Sequence, residues 1–253
     1  MPDERGDYTA EIRIRPCFWR DPPPRHGLTN PRYSAILTAE NDPVFPNTIV
    51  IPEDKTMHEK RYPSVREAEE LLAEAEPHNP GPWAAHSRHV ALCAEKIARA
   101  SGGRLDPEKA YVLGLLHDIG RRFGKGQHIG HMLCGYRYLM DLGYPDAAKI
   151  CLTHSYNTKR PGDDIGKHDG LPGEEEEIDA FIASCGYDDY DRLIQLCDCL
   201  GGAEGIMDIE ARMADVKARY GRYPQAKWDA NLALRAYFEE MCGADLYAVV
   251  NPG

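Results

Sequence analysis

Long apolar runs are missing from this 253-residue sequence, and none approaches the ~20 residues that a membrane-spanning helix needs. Residues 1–16, MPDERGDYTAEIRIRP, are rich in charge and lack the hydrophobic stretch of a signal peptide. The eight cysteines form no CxxC pair, and several lie in apolar helical stretches. We therefore expect buried, reduced thiols in place of a disulfide framework, no membrane partner and a cytoplasmic location.

Positive charge is also scarce. The chain has 30 Lys and Arg residues against 41 Asp and Glu residues, which gives a formal net charge of -11. Binding along a nucleic-acid scaffold needs clustered cations, so this balance argues against such a partner. A small anionic substrate remains compatible with it, because a local basic patch is enough to bind one.

Residues 1–63 differ from the rest of the chain in sequence pattern, because they combine strand-like segments with turn-rich stretches. The segments EIRIR (11–15) and TIVIP (48–52) are typical of short strands. The turn-rich stretch DPPPRHGLTNP lies between them. We interpret residues 1–63 as an irregular N-terminal arm with a few strand residues, which either covers an active site or mediates homodimerisation.

From Ser64 onward the signals are helical. Ser64 and Glu67 form a capping-box pattern, and Asp106 followed by Pro107 is typical of a helix start. The pattern predicts a long polar loop at 157–173 and helices at about 64–76, 83–100, 106–120, 128–142, 145–156, 174–185, 189–200, 204–220 and 225–242. The sequence thus predicts a mainly α fold with a single helical domain over residues 64–253.

One apolar helical stretch, YVLGLLHDIGRR (111–122), contains two adjacent polar side chains, His117 and Asp118. Consecutive residues on an α-helix point ~100° apart. One helix can therefore hold a metal ion with His117 and reach between two metal ions with Asp118.

Four more polar side chains lie in apolar helical settings, where an unneutralised group is unfavourable. They are His86, His131, His154 and Asp198. His131 shares a helix face with Gly135, which would permit close helix approach. Imidazole and carboxylate groups are common ligands of Fe, Mn, Zn and Ni, and facing helices of a bundle are a known way to build a di-metal site.

The motifs around these residues resemble the HD-domain metal-dependent phosphohydrolase superfamily in its binuclear, six-ligand form. They are HSRHV at 86–90, LLHDIG at 115–120, the HxxxG pattern of His131, and His154. The resemblance covers about residues 83–200 and continues more weakly to about residue 220. It implies an all-α helical bundle, in agreement with the helix pattern.

The resemblance also implies a set of ligands. One metal ion would be held by His86, His117, Asp118 and Asp198. A second would take Asp118 as a bridge, together with His131 and His154. The cofactors would be two divalent transition-metal ions, with Fe, Mn, Ni, Co and Zn all open.

Other side chains compete for these places. His128 is an alternative to His131, but it lies outside the HxxxG pattern. His89 is more typical of a helix-edge residue or of a hydrogen-bond donor behind the ligands. Cys197 and Cys199 are close enough in sequence to suggest a zinc pair, although no second cysteine pair accompanies them.

Cations cluster beside the candidate ligands in an otherwise acidic chain. Phosphoester hydrolysis needs positive charge near the non-bridging oxygens. Arg121 takes the position where many HD enzymes carry lysine, and we assign it a catalytic role together with Asp118. The alternative is that Arg121 and Arg122 merely cap a helix C-terminus. The candidate substrate-binding residues are Arg121, Arg122, Lys125, Lys159, Arg160 and His168.

Three functions remain open at this point. The first is a metal-dependent phosphohydrolase that cleaves a small phosphate ester or nucleotide with a metal-activated hydroxide. The second is a mixed-valent di-iron oxygenase, because some HD-fold proteins with this ligand set oxidise C–H bonds. The third is a non-catalytic sensor of a nucleotide or a metal, against which the intact ligand set argues. A hydrolase should work anaerobically with Mn, Ni or Zn, whereas an oxygenase should need iron and consume O₂.

Overall fold

A computed structural model describes residues 61–124, 129–160, 165–166 and 170–251. These residues lie within one compact unit, and no helix among them is both long and apolar enough to cross a membrane. The described helices are α1 (Val65–Ala75), α2 (Trp83–Ala100), α3 (Pro107–Leu116), α4 (Gly130–Asp141), α5 (Pro145–Thr153), α6 (Glu174–Ser184), α7 (Asp189–Leu200), α8 (Ile209–Tyr220), α9 (Gln225–Cys242) and α10 (Leu246–Val250). The prediction of a mainly α fold is confirmed.

The predicted N-terminal arm, residues 1–63, lies almost wholly outside the described residues. Its two strands, at 11–15 and 48–52, therefore stay predictions. The same holds for the boundary between the arm and the helical domain and for a role of the arm in homodimerisation.

Local capping residues determine where several helices begin. The Ser64 hydroxyl accepts a hydrogen bond from the Glu67 N–H, and the Glu67 carboxylate accepts one from the Ser64 N–H. The predicted capping box is thus confirmed. The Asp106 carboxylate caps α3 in the same way, by accepting from the N–H groups of Glu108 and Lys109.

Helices α2 and α3 pack with their backbones in near contact at the centre of the bundle. A Cβ atom added at Gly114 would lie 2.8 Å from the Cα atom of Ala91. Only glycine allows so close an approach. Helix α7 packs on both α2 and α3. This contact among α2, α3 and α7 brings together residues that lie far apart in the sequence.

Helix α3 is shorter than the sequence predicts, because it ends just before His117 and not near Gly120. Asp118 instead begins a 3₁₀ helix, Ile119–Phe123. The turn lets Gly120 pack on α4, where an added Cβ atom would lie 1.9 Å from the His131 carbonyl oxygen. His117 and Asp118 are therefore oriented by a turn that leaves the helix. The prediction that regular helical spacing orients them is wrong.

Helix α8 also differs from its predicted bounds, since it begins at Ile209 and not at residue 204. The Asp208 side chain caps it by accepting a hydrogen bond from the Ala211 N–H. The preceding residues form a tight turn in which the Gly202 N–H donates to the Gly205 carbonyl oxygen. The predicted helices at 83–100, 189–200 and 225–242 have the observed bounds.

Candidate metal centre

Asp118 lies at the middle of a buried cluster of histidines, and its side chain is only 4% exposed. Its Oδ2 atom is 3.8 Å from Nε2 of His117. Its Oδ1 atom is 2.9 Å from Nε2 of His131 and 3.8 Å from Nε2 of His154. The two oxygens of one carboxylate thus face different histidines.

The first group of candidate ligands comes from α2, the end of α3 and α7. His86 Nε2 lies 3.3 Å from His117 Nε2 and 3.0 Å from Asp198 Oδ1. Asp198 Oδ1 is also 3.6 Å from His117 Nε2. Ligand atoms of His86, His117 and Asp118 all lie within 4.8 Å of one another. The fold therefore brings together the four residues that were predicted to hold one metal ion.

The second group is Asp118, with His131 on α4 and His154 at the end of α5. Ligand atoms of these three residues also lie within 4.8 Å of one another, and all three residues are buried. The rings of His131 and His154 are 5.7 Å apart between centroids. The His154 ring is 5.0 Å from the ring of His117, so the two groups adjoin.

Backbone carbonyl groups hold the second ring nitrogen of three histidines. Nδ1 lies 3.0 Å from the Gly201 oxygen in His86, 2.7 Å from the Gly114 oxygen in His117, and 3.1 Å from the Ile150 oxygen in His154. A carbonyl oxygen can only accept, so this contact places the proton on Nδ1. In the neutral ring, each Nε2 atom then carries a lone pair that points into the cluster, which is the tautomer a metal ion needs.

Burial and neighbouring charges shift the pKa values of the candidate ligands in different directions. Burial, reinforced by the nearby His117, lowers the pKa of His154 to about 3, so this imidazole is neutral near pH 7. Burial alone would raise the pKa of Asp118, but Arg121, His131 and His117 together outweigh it and hold that pKa well below its usual range. The pKa of Asp198 is also held well below its usual range, because hydrogen bonds from the histidines outweigh the effect of burial.

The cluster fits a divalent transition metal. Asp118 Oδ1 is buried and makes no hydrogen bond of acceptable geometry among the described residues, although His131 Nε2 is 2.9 Å away. Such an oxygen is unfavourable unless a cation or a donor satisfies it. Imidazole nitrogens and carboxylate oxygens are ligands that Fe, Mn, Co, Ni and Zn all accept.

The matched family agrees with this geometry. Residues 83–199 match the family model of the HD domain. The chain contains an HD domain. No curated protein and no solved structure matches the chain. HD domains are typically metal-dependent phosphohydrolases, and all six candidate ligands lie within the matched residues. The domain and its buried His/Asp groups together indicate a metal-dependent phosphohydrolase in general.

Close packing at glycine residues positions this HD centre. Gly120 and Gly135 bring the 3₁₀ helix against α4, since a Cβ atom at Gly135 would lie 3.1 Å from the Gly120 nitrogen. The close approach that Gly135 was expected to permit is thus confirmed. On the other side, a Cβ atom at Gly201 would lie 2.7 Å from a methyl carbon of Val90 and 3.2 Å from Nδ1 of His86.

Arg121 is the predicted substrate-binding residue that the structure brings into the centre. Its Nε atom donates to Asp118 Oδ2 at 2.5 Å, and its side chain is one-third exposed. It also lines the cavity beside the HD centre. This position suits a group that contacts both a ligand carboxylate and an incoming anion.

Arg122 has a different place from Arg121. Its side chain is buried between α1 and α4, where it pairs with both carboxylate oxygens of Glu74 at 2.6 and 2.9 Å. It also donates to the Tyr138 hydroxyl group at 2.9 Å. The guanidinium is held by these partners and is not among the residues that line the cavity, so it joins the two helices.

The remaining predicted cations do not reach the cavity or lie outside the described residues. Lys159 donates to the Cys185 carbonyl oxygen at 2.6 Å and lies 4.2 Å from the centre of the Tyr187 ring. Arg160 is exposed on the same loop. Neither lines the cavity beside the HD centre. The described residues do not include Lys125, His168 or the competing His128.

Two further expectations concern α2 and α7. His89 is not a candidate ligand but holds the turn after α7, since its Nδ1 atom lies 2.9 Å from the Gly202 oxygen. Cys197 is buried and hydrogen-bonds with Cys93, whereas Cys199 lines the cavity. Residues two positions apart on a helix point to nearly opposite sides, so these cysteines do not form a zinc pair.

The cavity beside the HD centre has two lobes, which meet at Arg121, His154, Ser155, Asp198 and Tyr220. The inner lobe has a volume of about 190 Å³ and extends between α7, α8 and α9. The outer lobe has a volume of about 470 Å³ and extends toward the start of α2. The side chains that line only the inner lobe include Arg212, Tyr223, Lys227 and Asn231.

Sequence analysis missed the contribution of α8 and α9 to this cavity. No motif links these helices to the HD ligands, and they follow the matched residues in the chain. One local signal is the run RYGRYPQAKW (219–228), which combines basic and aromatic side chains near the end of α8. In the sequence alone, such a run is as typical of a solvated surface as of a ligand-binding wall.

Proposed function

We propose that this protein is a metal-dependent phosphohydrolase that cleaves a small phosphate ester or nucleotide. The observation that supports this most directly is the position of Asp118. One of its carboxylate oxygens faces His117, and the other faces His131 and His154. A carboxylate in that position can bridge two metal ions, as in binuclear hydrolytic sites.

In this proposal each group of residues holds one metal ion. The first ion takes His86, His117, Asp118 and Asp198. The second takes Asp118, His131 and His154. When bound there, divalent ions supply the Lewis acidity that activates water and neutralises charge on the phosphoryl group. Their identity among Fe, Mn, Ni, Co and Zn is left to measurement.

Arg121 would bind the phosphoryl group. A guanidinium carries five N–H donors, of which Nε is directed at Asp118, while the two amino groups carry the other four. These amino groups can contact two phosphoryl oxygens in parallel, which a lysine cannot do. The bond to Asp118 keeps the guanidinium plane fixed next to the HD centre.

The proposed reaction needs only water as co-substrate. The oxygen of a water molecule bonds to phosphorus, and the ester bond between phosphorus and the leaving oxygen breaks. The leaving oxygen takes one proton of that water, so the products are inorganic phosphate and an alcohol. His154 is neutral near pH 7 and therefore adds no charge that would oppose cations at this site.

Two measurements test this function in sequence. Elemental analysis of protein purified without chelators should find close to two transition-metal ions per chain. The protein loaded with the metal found should then release phosphate from members of a phosphoester panel under anaerobic conditions. An iron-containing protein that releases no phosphate and consumes O₂ would instead be the di-iron oxygenase. A protein that binds metal and a nucleotide but turns over neither would be a sensor.

A further inference from the structure

The inner lobe has one wall made by helices that lie outside the matched HD residues. Arg212 and Tyr220 come from α8, and Lys227 and Asn231 come from α9. The opposite wall is the HD centre itself, including His131 and Asp198. A group bound in this lobe would contact a possible metal site on one side and residues outside the matched region on the other.

The inner lobe is positively charged, although the chain as a whole is acidic. Among the described residues that line it, Arg121, Arg212 and Lys227 are cations, and Asp198 is the one acid. Asp198 belongs to the HD centre, where metal ions would neutralise it. Clustered cations with little opposing charge favour an anionic ligand.

Arg212 is well placed to respond to such an anion. Its Nη1 atom pairs with Asp215 at 3.2 Å, but Asp215 is half-exposed and also pairs with Arg219 at 2.9 Å. A surface ion pair of this kind is weak. The Nε atom of Arg212 is buried and makes no hydrogen bond with any described residue. A buried donor without an acceptor is unfavourable, and the guanidinium that carries it belongs to a residue that lines the lobe. An anion in the lobe would gain a charge-assisted hydrogen bond from this guanidinium.

Hydrogen bonds hold the rest of the wall in place. Lys227 Nζ donates to the Ser155 carbonyl oxygen at 2.5 Å, next to the candidate ligand His154. Asn231 accepts from the Asn157 amide at 2.7 Å and donates to the Tyr223 hydroxyl group at 2.7 Å. A polar wall fixed in this way is suited to select among small polar ligands.

The size of the lobe limits what it can hold. Its volume is about 190 Å³. That is below the ~300–1,000 Å³ of typical pockets for larger ligands. A short chain of a few non-hydrogen atoms fits this space, whereas a nucleoside would have to lie in the outer lobe.

We propose that the inner lobe binds a second anionic group, carried on a short leaving group of the phosphate ester, and that Arg212 and Lys227 select for it. This proposal rests on the proposed function, which it narrows to phosphate esters of small acids. The phosphoryl group lies at Arg121 and the HD centre, and the second anion lies between α8 and α9.

Two probes with the same three-carbon chain test this directly. In 3-phosphoglycerate the leaving group ends in a carboxylate, and in glycerol 3-phosphate it ends in a neutral hydroxymethyl group. The metal-loaded full-length protein should show a kcat/KM about tenfold or more higher for 3-phosphoglycerate, as expected for a hydrogen bond between charged partners. Titration calorimetry should show the same order of affinities for the two probes.

Variants of Arg212 distinguish binding of the second anionic group from a general effect on the folded structure. Arg212→Gln should lower the ratio of kcat/KM for 3-phosphoglycerate to kcat/KM for glycerol 3-phosphate to near one. Arg212→Lys should restore part of this ratio, because it keeps the positive charge. Lys217→Gln is the matched control, because it removes a positive charge from an exposed position of the same helix that does not line the cavity. Circular dichroism and metal content identify any variant that fails to fold. If a variant does not fold, the ratio of kcat/KM for the two probes in the wild-type protein still tests the second-anion site.

The outcomes distinguish this proposal from the proposed function. Hydrolysis of both probes at equal efficiency, or a preference that survives in Arg212→Gln, would overturn the second-anion site and leave the phosphohydrolase intact. Preferential binding of 3-phosphoglycerate that depends on Arg212, without any release of phosphate, would support the site and count against the hydrolase. Equal affinity for both probes without turnover contradicts both.

Discussion

Gly120 and His131 are in backbone contact, so close that a Cβ atom on Gly120 would lie 1.9 Å from the His131 carbonyl oxygen. The same atom would lie 2.5 Å from the Gly135 nitrogen. Both neighbours are main-chain atoms, which cannot move aside as a flexible side chain can. This contact fixes the distance between Asp118, two residues before Gly120, and the imidazole of His131.

Gly120→Ala should therefore lower stability and disturb the second ligand group. We expect a loss of about 3 kcal/mol in the free energy of unfolding, at the upper end of overpacking effects. Urea denaturation measures it, and elemental analysis should show less than the wild-type metal content. Gly186→Ala is the control, because a Cβ atom there has no neighbour within 4 Å. Equal stability of the two variants would mean that Gly120 does not set this contact.

Asp118→Ala should lose both metal ions and all measurable phosphohydrolase activity. The reason is that its two oxygens face both ligand groups, so its removal takes a ligand from each. Elemental analysis of the purified variant provides the measurement, with the exposed Asp141→Ala as the control. Full metal content in Asp118→Ala would show that this carboxylate does not bridge two ions.

His131→Ala and His154→Ala should each lower the metal content from about two ions per chain to about one. They belong to the second group, so the four candidate ligands of the first ion stay in place. The exposed His78, which pairs with Glu74 on α1, provides the control variant His78→Ala. If the count does not change in either variant, the site holds a single ion.

Arg121 and Arg122, adjacent in sequence, should give opposite results. Arg121→Met should lower kcat/KM about 10²–10³-fold, because it removes donors from the phosphoryl group. Arg122→Met should instead lower stability by about 1–3 kcal/mol, because Glu74 and Tyr138 lose a buried partner. Steady-state kinetics and thermal unfolding of the two variants decide the assignment. A catalytic defect in a stable Arg122→Met protein would restore the original prediction.

The metal-free protein should lose stability as the pH falls from about 6.5 to about 3. The folded pKa of His154, about 3, is below the unfolded value of ~6.5, so the unfolded state binds more protons in this range. The stabilising contribution is complete above pH ~6.5 and declines as the pH falls. His117 acts in the opposite direction, since its pKa is raised by its aspartate neighbours against the effect of burial. The free energy of unfolding of the wild-type protein and of His154→Asn, measured against pH, isolates the effect of His154. Parallel curves for the two proteins would contradict a contribution from His154.

Local chemistry by itself determined most helix bounds, and the resemblance of the motifs to HD domains identified the candidate ligands. The capping box at Ser64 and the N-cap at Asp106 act within one turn of helix, so their effect does not depend on distant residues. His86, His131 and Asp198 could be selected because each is a polar residue in an apolar helical pattern. Burial of such groups without neutralisation is unfavourable wherever the chain places them.

Only the tertiary structure decided how these groups meet. The turn that ends α3 before His117 accompanies backbone contact between Gly120 and α4. The position of Gly135 predicted a close approach, but it did not identify Gly120 as the partner. The sequence predicts substrate binding for both Arg121 and Arg122, but a 3₁₀ helix directs one to Asp118 and the other to Glu74. The wall that α8 and α9 add to the cavity depends on packing between segments far apart in sequence. Sequence periodicity indicates which face of a helix is buried, but it does not indicate which partner buries it.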